Sequence, residues 1–210
     1  MAMHVHELHA ALVHAPLVFL PAAAAIDLSA ILTKDPAREA LGRKLWWLTV
    51  GGALLAGVSG LASSQEIKAE DPDTDDMLWT HGMANVAILL GSTGIAVWRS
   101  FRRPSATQAV LALATAGLAA YTASLGGEMV YGRGVGVRVV SKLAPNGVRR
   151  SPRVLSRSAP ATFVRDALAG VAWLVRGIGW RVDERRRKLE RGASRVARVV
   201  SRPRSLNPLG

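Results

Sequence analysis

Five histidines are the residues of this 210-residue chain best equipped for chemistry. His4, His6, His9 and His14 lie near the N-terminus, and His81 opens a later apolar stretch with Asn85 one helical turn beyond it. An imidazole inside an apolar helix must face a partner, a cavity or a ligand to escape the cost of desolvation. Two histidines at similar depth on neighbouring helices could hold a b-type haem by both axial positions, or a divalent metal with a carboxylate such as Glu128. The candidate cofactor-binding residues are therefore His14, His81, Glu128 and Tyr131, and the candidate metal ligands His9, His14 and His81. A bundle with no cofactor accounts for the same residues if each imidazole bonds a carbonyl or hydroxyl of the next helix. No nucleophile stands with a base, so no catalytic residue is assigned and a hydrolase is not expected.

Four stretches without Lys or Arg must position these side chains, at about residues 10–33, 45–64, 78–98 and 105–125. Each reaches the roughly 20 apolar residues that cover about 30 Å of hydrocarbon at about 1.5 Å rise. A soluble domain of this size has no interior for four helices apolar on every face. Trp46, Trp47 and Trp98 fall at one set of span ends and Trp79 at the other, as an aromatic belt requires. Small residues recur every fourth position in span two (Gly52, Ala56, Gly60, Ser64) and span four (Ala112, Ala116, Ala120, Ser124), which predicts close helix contacts. Pro16 and Pro21 predict a kink in span one. The residues before it carry no Lys or Arg, so span one is expected to stay attached rather than be cleaved as a signal peptide. The expected architecture is an all-α four-helix transmembrane bundle of the bacterial inner membrane, with a basic C-terminal tail.

The overall charge of +12 conceals two segments. Through Val130 the chain holds 8 Lys/Arg against 11 Asp/Glu, and beyond it 19 against 4. There is no cysteine, which removes thiol chemistry and thiolate metal sites. Three segments are expected: a four-span domain over 1–137, a Pro/Ser/Arg-rich linker over 138–160 with a turn at Pro145-Asn146-Gly147, and a basic helical tail over 161–210. Val164, Leu168, Val171, Val175, Ile178, Val182 and Leu189 trace a heptad-like stripe on that tail, which also carries Trp173 and Trp180. Such a helix suits an anionic lipid interface or a membrane protein partner, and nucleic acid is not expected. A fifth span over 162–180 would contain Arg165, Asp166 and Arg176 and is disfavoured.

With four spans, side A holds the N-terminus, the 65–77 loop and the exit of span four, and all five histidines lie near it. His14 and His81 are expected to face one another there, with Glu128 or Tyr131 closing the pocket. The acidic run from Glu66 to Asp76 reads as a solvated turn. Side B carries Lys34, Arg38, Arg43, Lys44, Arg99, Arg102 and Arg103, so it is expected to be cytoplasmic.

These residues resemble a family of bacterial membrane proteins, domain of unknown function 2231. Its opening pattern H-P-x-x-V-H-F-P is matched by His9, Val13, His14 and Pro16, with departures at Ala10 and Ala15. A histidine at the start of span three is matched by His81, and a Gly-Gly-x-[LM]-V-Y-x-x-G-[VA]-G-V exit by Gly126 through Val137. The resemblance covers about residues 6–137 and implies a four-span bundle with no assigned activity. Some relatives accompany electron-transfer modules, which implies by analogy a haem- or metal-binding subunit supporting electron transfer. The alternative is a non-catalytic scaffold whose tail binds lipid or a partner.

Overall fold

The structure, a computed structural model, describes residues 3–67, 69, 71–136 and 152–200, without the side chains of 185, 187–189 and 191–200. The expected Pro145-Asn146-Gly147 turn and most of the expected linker lie outside the described residues. What is described is all-α: α1 (Val5–Leu12), α2 (His14–Thr33), α3 (Pro36–Glu66), α4 (Pro72–Phe101), α5 (Ala106–Gly127), a π-helical turn (Glu128–Gly132) and α6 (Ala159–Val200). Four helical segments are long and apolar enough to cross a membrane: Val5–Thr33, Pro36–Glu66, Pro72–Phe101 and Ala106–Gly132. Among the described residues α6 is not one of them. Two compact units divide the chain, Met1–Ala172 and Trp173–Gly210.

Local chemistry sets the helix ends. Pro16 has no N–H for the Leu12 carbonyl, and the first span breaks nearby at Val13, more than two turns before Pro21. Asp35 caps α3 by accepting from Ala37 N at 2.9 Å, and Asp71 caps α4 by accepting from Thr74 N at 2.8 Å, each followed by proline at the first helical position. Ser105 Oγ accepts from Gln108 N at 3.3 Å to start α5. Short connections force antiparallel neighbours. Helix α2 packs on α3, α3 on α4, α4 on α5 and α5 back on α2, closing the bundle, while α1 packs on α3.

The core is made of small and medium residues: Leu20, Ala23, Trp46, Ile88, Ile95, Ala96, Ala112 and Ala119. The span-two stripe packs as its spacing predicts, with Gly52 against Ala15 and Pro16 and Gly60 against His9. In span four only the first half of the stripe does so. Ala112 is buried, but Ala120 and Ser124 face outward, and Ala119 and Thr122 take the inner face.

Buried positions of the two hairpins coincide at fixed offsets. Leu20, Ala23 and Asp27 of α2 match Ser92, Ile95 and Arg99 of α4, 72 residues on. Gly42, Trp46, Ala56 and Ser63 match Gln108, Ala112, Thr122 and Met129, 66 residues on by the numbering. Both hairpins enter from side A, and these inward positions recur from one to the other at the two offsets.

Near side B, each span contributes one side chain to a single buried node. Asp27 Oδ2 accepts from Trp46 Nε1 at 2.8 Å, Arg99 Nε at 2.8 Å and Gln108 Nε2 at 3.0 Å. Arg99 Nη2 donates to Asp27 Oδ1 at 3.1 Å and to the Glu39 carbonyl at 3.0 Å, and Nη1 donates to the Arg102 carbonyl at 2.6 Å. Lipid supplies no hydrophobic push between helices, so this charge-assisted network and close packing are what hold the four spans in register.

Candidate functional site

At the side-A end, α1 carries His9 and α4 carries His81, and their rings meet at 6.4 Å between centroids with planes at 88°. His9 Nδ1 donates to the Ala56 carbonyl of α3 at 2.9 Å, and His81 Nδ1 donates to the Thr122 carbonyl of α5 at 3.0 Å. A carbonyl can only accept, so each Nδ1 carries its ring's proton and each neutral ring keeps its lone pair on Nε2. The support beside each ring repeats as well. Gly60 lies one turn after Ala56, where a Cβ would sit 2.9 Å from His9 Cε1, and Gly126 lies one turn after Thr122, where a Cβ would sit 3.5 Å from His81 Cε1. Asn85 Nδ2 donates to the His81 carbonyl at 2.8 Å, tying its amide to its own helix.

The pairing expected of His14 falls to His9 instead. Five residues along a helix turn through about 500°, so His9 and His14 point about 140° apart and cannot both face inward. His14 is exposed, with Nδ1 3.3 Å from the Ala11 carbonyl of the same stretch of chain. Glu128 and Tyr131 do not close the pocket either. The Glu128 carboxylate lies over Gly132, and Tyr131 is 91% exposed. Among the described residues no three His, Cys, Asp or Glu side chains gather as a metal cage.

The rest of the side-A end is more ordered than its composition suggests. Glu7 accepts from His4 N at 2.8 Å at the start of α1, so His6 and His9 ride on a packed helix. His6 is buried with Nδ1 4.0 Å from Glu66 Oε2, which places Glu66 inside the last turn of α3 rather than in a solvated turn. The glycine-rich exit wraps back: Gly134 and Gly136 take φ of 66° and 75°, Val135 N donates to the Met129 carbonyl at 2.8 Å, and Arg133 Nη1 reaches Asp71 Oδ1 at 3.3 Å and Thr74 Oγ1 at 3.2 Å.

Fit to a cofactor follows from the supports beside the rings. A haem macrocycle must extend well beyond its two axial ligands, and here the α3 and α5 backbones lie against the ring edges. A haem iron bound through Nε2 would leave the Nδ1 bonds to Ala56 and Thr122 in place, but its macrocycle would have to clear the Gly60 and Gly126 backbones beside the ring Cε1 atoms. A single ion shared by the two rings would need both Nε2 atoms at about 2 Å from it, and the rings stand 6.4 Å apart between centroids with planes at 88°. The carbonyl-bonded Nδ1 is also the usual outer support of a metal-binding imidazole.

Reasoning from sequence missed the side-B node, although its signal was present: Asp27 is the one acid inside an apolar span, and such an acid requires a partner. Four spanning helices closed around these two polar layers define a small multi-pass membrane protein. The chain belongs to the predicted membrane protein family DUF2231, whose model matches residues 5–139. Comparison with curated proteins and with solved structures gives no match.

Proposed function

We propose that this chain is a metal-holding subunit of the bacterial inner membrane, with His9 and His81 as paired ligands through Nε2, serving electron transfer. The observation that supports this reading is the fixed tautomer of both rings: each Nδ1 is committed to the carbonyl of the next helix. Among the described residues no carboxylate joins the two rings, so a bound ion keeps its full charge in a low-dielectric setting, which favours a monovalent ion over a divalent one. Two neutral imidazoles and a single positive charge suit copper(I), and a one-electron metal is what such a subunit would lend to a redox partner.

The test is a copper(I) titration of the detergent-purified protein against a competing chromophoric chelator. The reading expects one ion per chain, lost in His9→Ala and His81→Ala and kept in His14→Ala. A dithionite-sensitive Soret band would restore the haem reading. A colourless, metal-free protein that ignores copper would instead leave a non-catalytic scaffold whose basic tail, on anionic lipid or a protein partner, is the working part.

A further inference from the structure

Helix α6 leaves its apolar stripe uncovered. Val164, Leu168, Val171, Val175, Ile178 and Val182 follow the spacing of one helix face, and all are between 42% and 66% exposed. The helix that carries them holds ten Lys/Arg against four Asp/Glu and is not among the described helices long and apolar enough to cross a membrane. Its start is fixed at the side-A boundary. Val5 N donates to the Pro152 carbonyl and Val154 N to the Met3 carbonyl, both at 3.0 Å, and Gly170 packs so tightly on the Leu61 carbonyl of α3 that a Cβ there would overlap it. Leu61 is in the second-last turn of α3, where a span meets the headgroups.

We propose that this stripe lies in the headgroup boundary of the side-A leaflet and that its lipid partner is anionic. Three features favour lipid over a partner helix: the excess of positive charge, the start of the stripe at membrane-surface depth, and basic residues on both flanks. By helix position Arg165 and Arg176 flank the stripe on one edge and Arg181 on the other, within reach of a headgroup layer once Arg165 leaves Asp166, to whose Oδ1 its Nε donates at 2.8 Å. Trp173 and Trp180 fall about 180° and 160° from Val164 at about 100° per residue, so aliphatic residues, not the tryptophans, insert. Trp180 instead stacks under Arg181, whose guanidinium lies 5.4 Å from the ring centroid. This inference is independent of the metal reading.

The absence of native cysteine makes the test direct. Single cysteines replacing Val171, Val175 and, as a control on the basic edge beside the stripe, Asp183 would carry an environment-sensitive fluorophore on the full chain. The protein would be reconstituted in nanodiscs of phosphatidylcholine alone or with about one-third phosphatidylglycerol. With the anionic lipid, quenching by an acyl-chain nitroxide is expected to be several-fold stronger at 171 and 175 than at 183. Removal of phosphatidylglycerol, or salt of about 1 M where the Debye length shrinks to about 3 Å, is expected to abolish most of that difference. Equal water access at all three positions would overturn the proposal. So would protection at 171 and 175 without lipid quenching, which points to a protein partner or a second copy. Equal quenching in both lipid mixtures would overturn the anionic preference.

Discussion

Asp27 and Arg99 are 72 residues apart in sequence, yet the Arg99 Nε donates to Asp27 Oδ2 at 2.8 Å and neither side chain is more than 1% exposed. They occupy equivalent positions of the two hairpins, so the repeat that places two like imidazoles at side A places two opposite charges at side B. Trp46 and Gln108 fill the remaining acceptor positions on Asp27. Every span end at side B is thereby tied to one carboxylate, whereas at side A the Nδ1 of His9 and of His81 each bonds a carbonyl of another helix.

Breaking that lock should be costly. Asp27→Ala leaves the Arg99 guanidinium buried without its counter-charge, a defect worth about 3–5 kcal/mol where one partner of a buried pair is lost. Asp27→Ala combined with Arg99→Met should recover much of the loss, because no charge is then stranded. Thermal unfolding in detergent reads both. A single variant as stable as the parent would mean that the pair contributes nothing to register.

Gly42 provides a test that leaves every charge in place. A Cβ there would run into Asp27 Oδ1, so Gly42→Ala should lower stability in the same direction as Asp27→Ala. Gly51 and Gly57, on the same helix, have open space where a Cβ would go. Their replacement by alanine should be neutral or stabilising by up to about 1 kcal/mol, the helix-propensity difference.

The spans were legible in the sequence because length and apolarity alone specify them, and α6 because its stripe repeats every three or four residues. Helix rotation was not legible. His9 and His14 both precede or enter span one, and only the break at Val13 and the packing of α1 on α3 decide that His9 faces inward. The hairpin repeat was equally hidden, since buried positions recur while residue types do not: Asp27 matches Arg99, and Trp46 matches Ala112. The outward turn of Ala120 and Ser124 has the same origin, because a four-residue spacing drifts around a helix of 3.6 residues per turn.

At side A, Gly60→Ala would press a methyl group against His9 Cε1 and displace the ring from the Ala56 carbonyl. Copper(I) affinity should drop by at least an order of magnitude, about 1.4 kcal/mol, while the fold seen by circular dichroism persists. Gly127→Ala, which has open space, should change nothing. Binding should also weaken as pH falls, since a proton and a metal compete for the same Nε2 lone pair and the metal requires the neutral ring. Affinity independent of both Gly60→Ala and pH would place the metal elsewhere.

Topology yields the last prediction. The first four helical segments have the composition of spans and α6 does not, so the exit of α5 and the end of the tail should share one side of the membrane. The bonds between Met3–Val5 and Pro152–Val154 place the approach to α6 beside the N-terminus, consistent with a tail that never crosses. Reporter fusions after Val137 and after Gly210 should therefore give the same compartment signal, and the signal at the 34–35 turn should be opposite. By loop charge that turn is expected to be cytoplasmic, although Arg99 counts for less than its position suggests, since Asp27 neutralises it. Opposite signals after Val137 and Gly210 would require α6 to cross, with Arg165, Asp166 and Arg176 inside the bilayer. Matching signals with a cytoplasmic tail would instead keep four spans and invert the orientation, which would make the tail's arginines, not the side-B loops, the charges that set it.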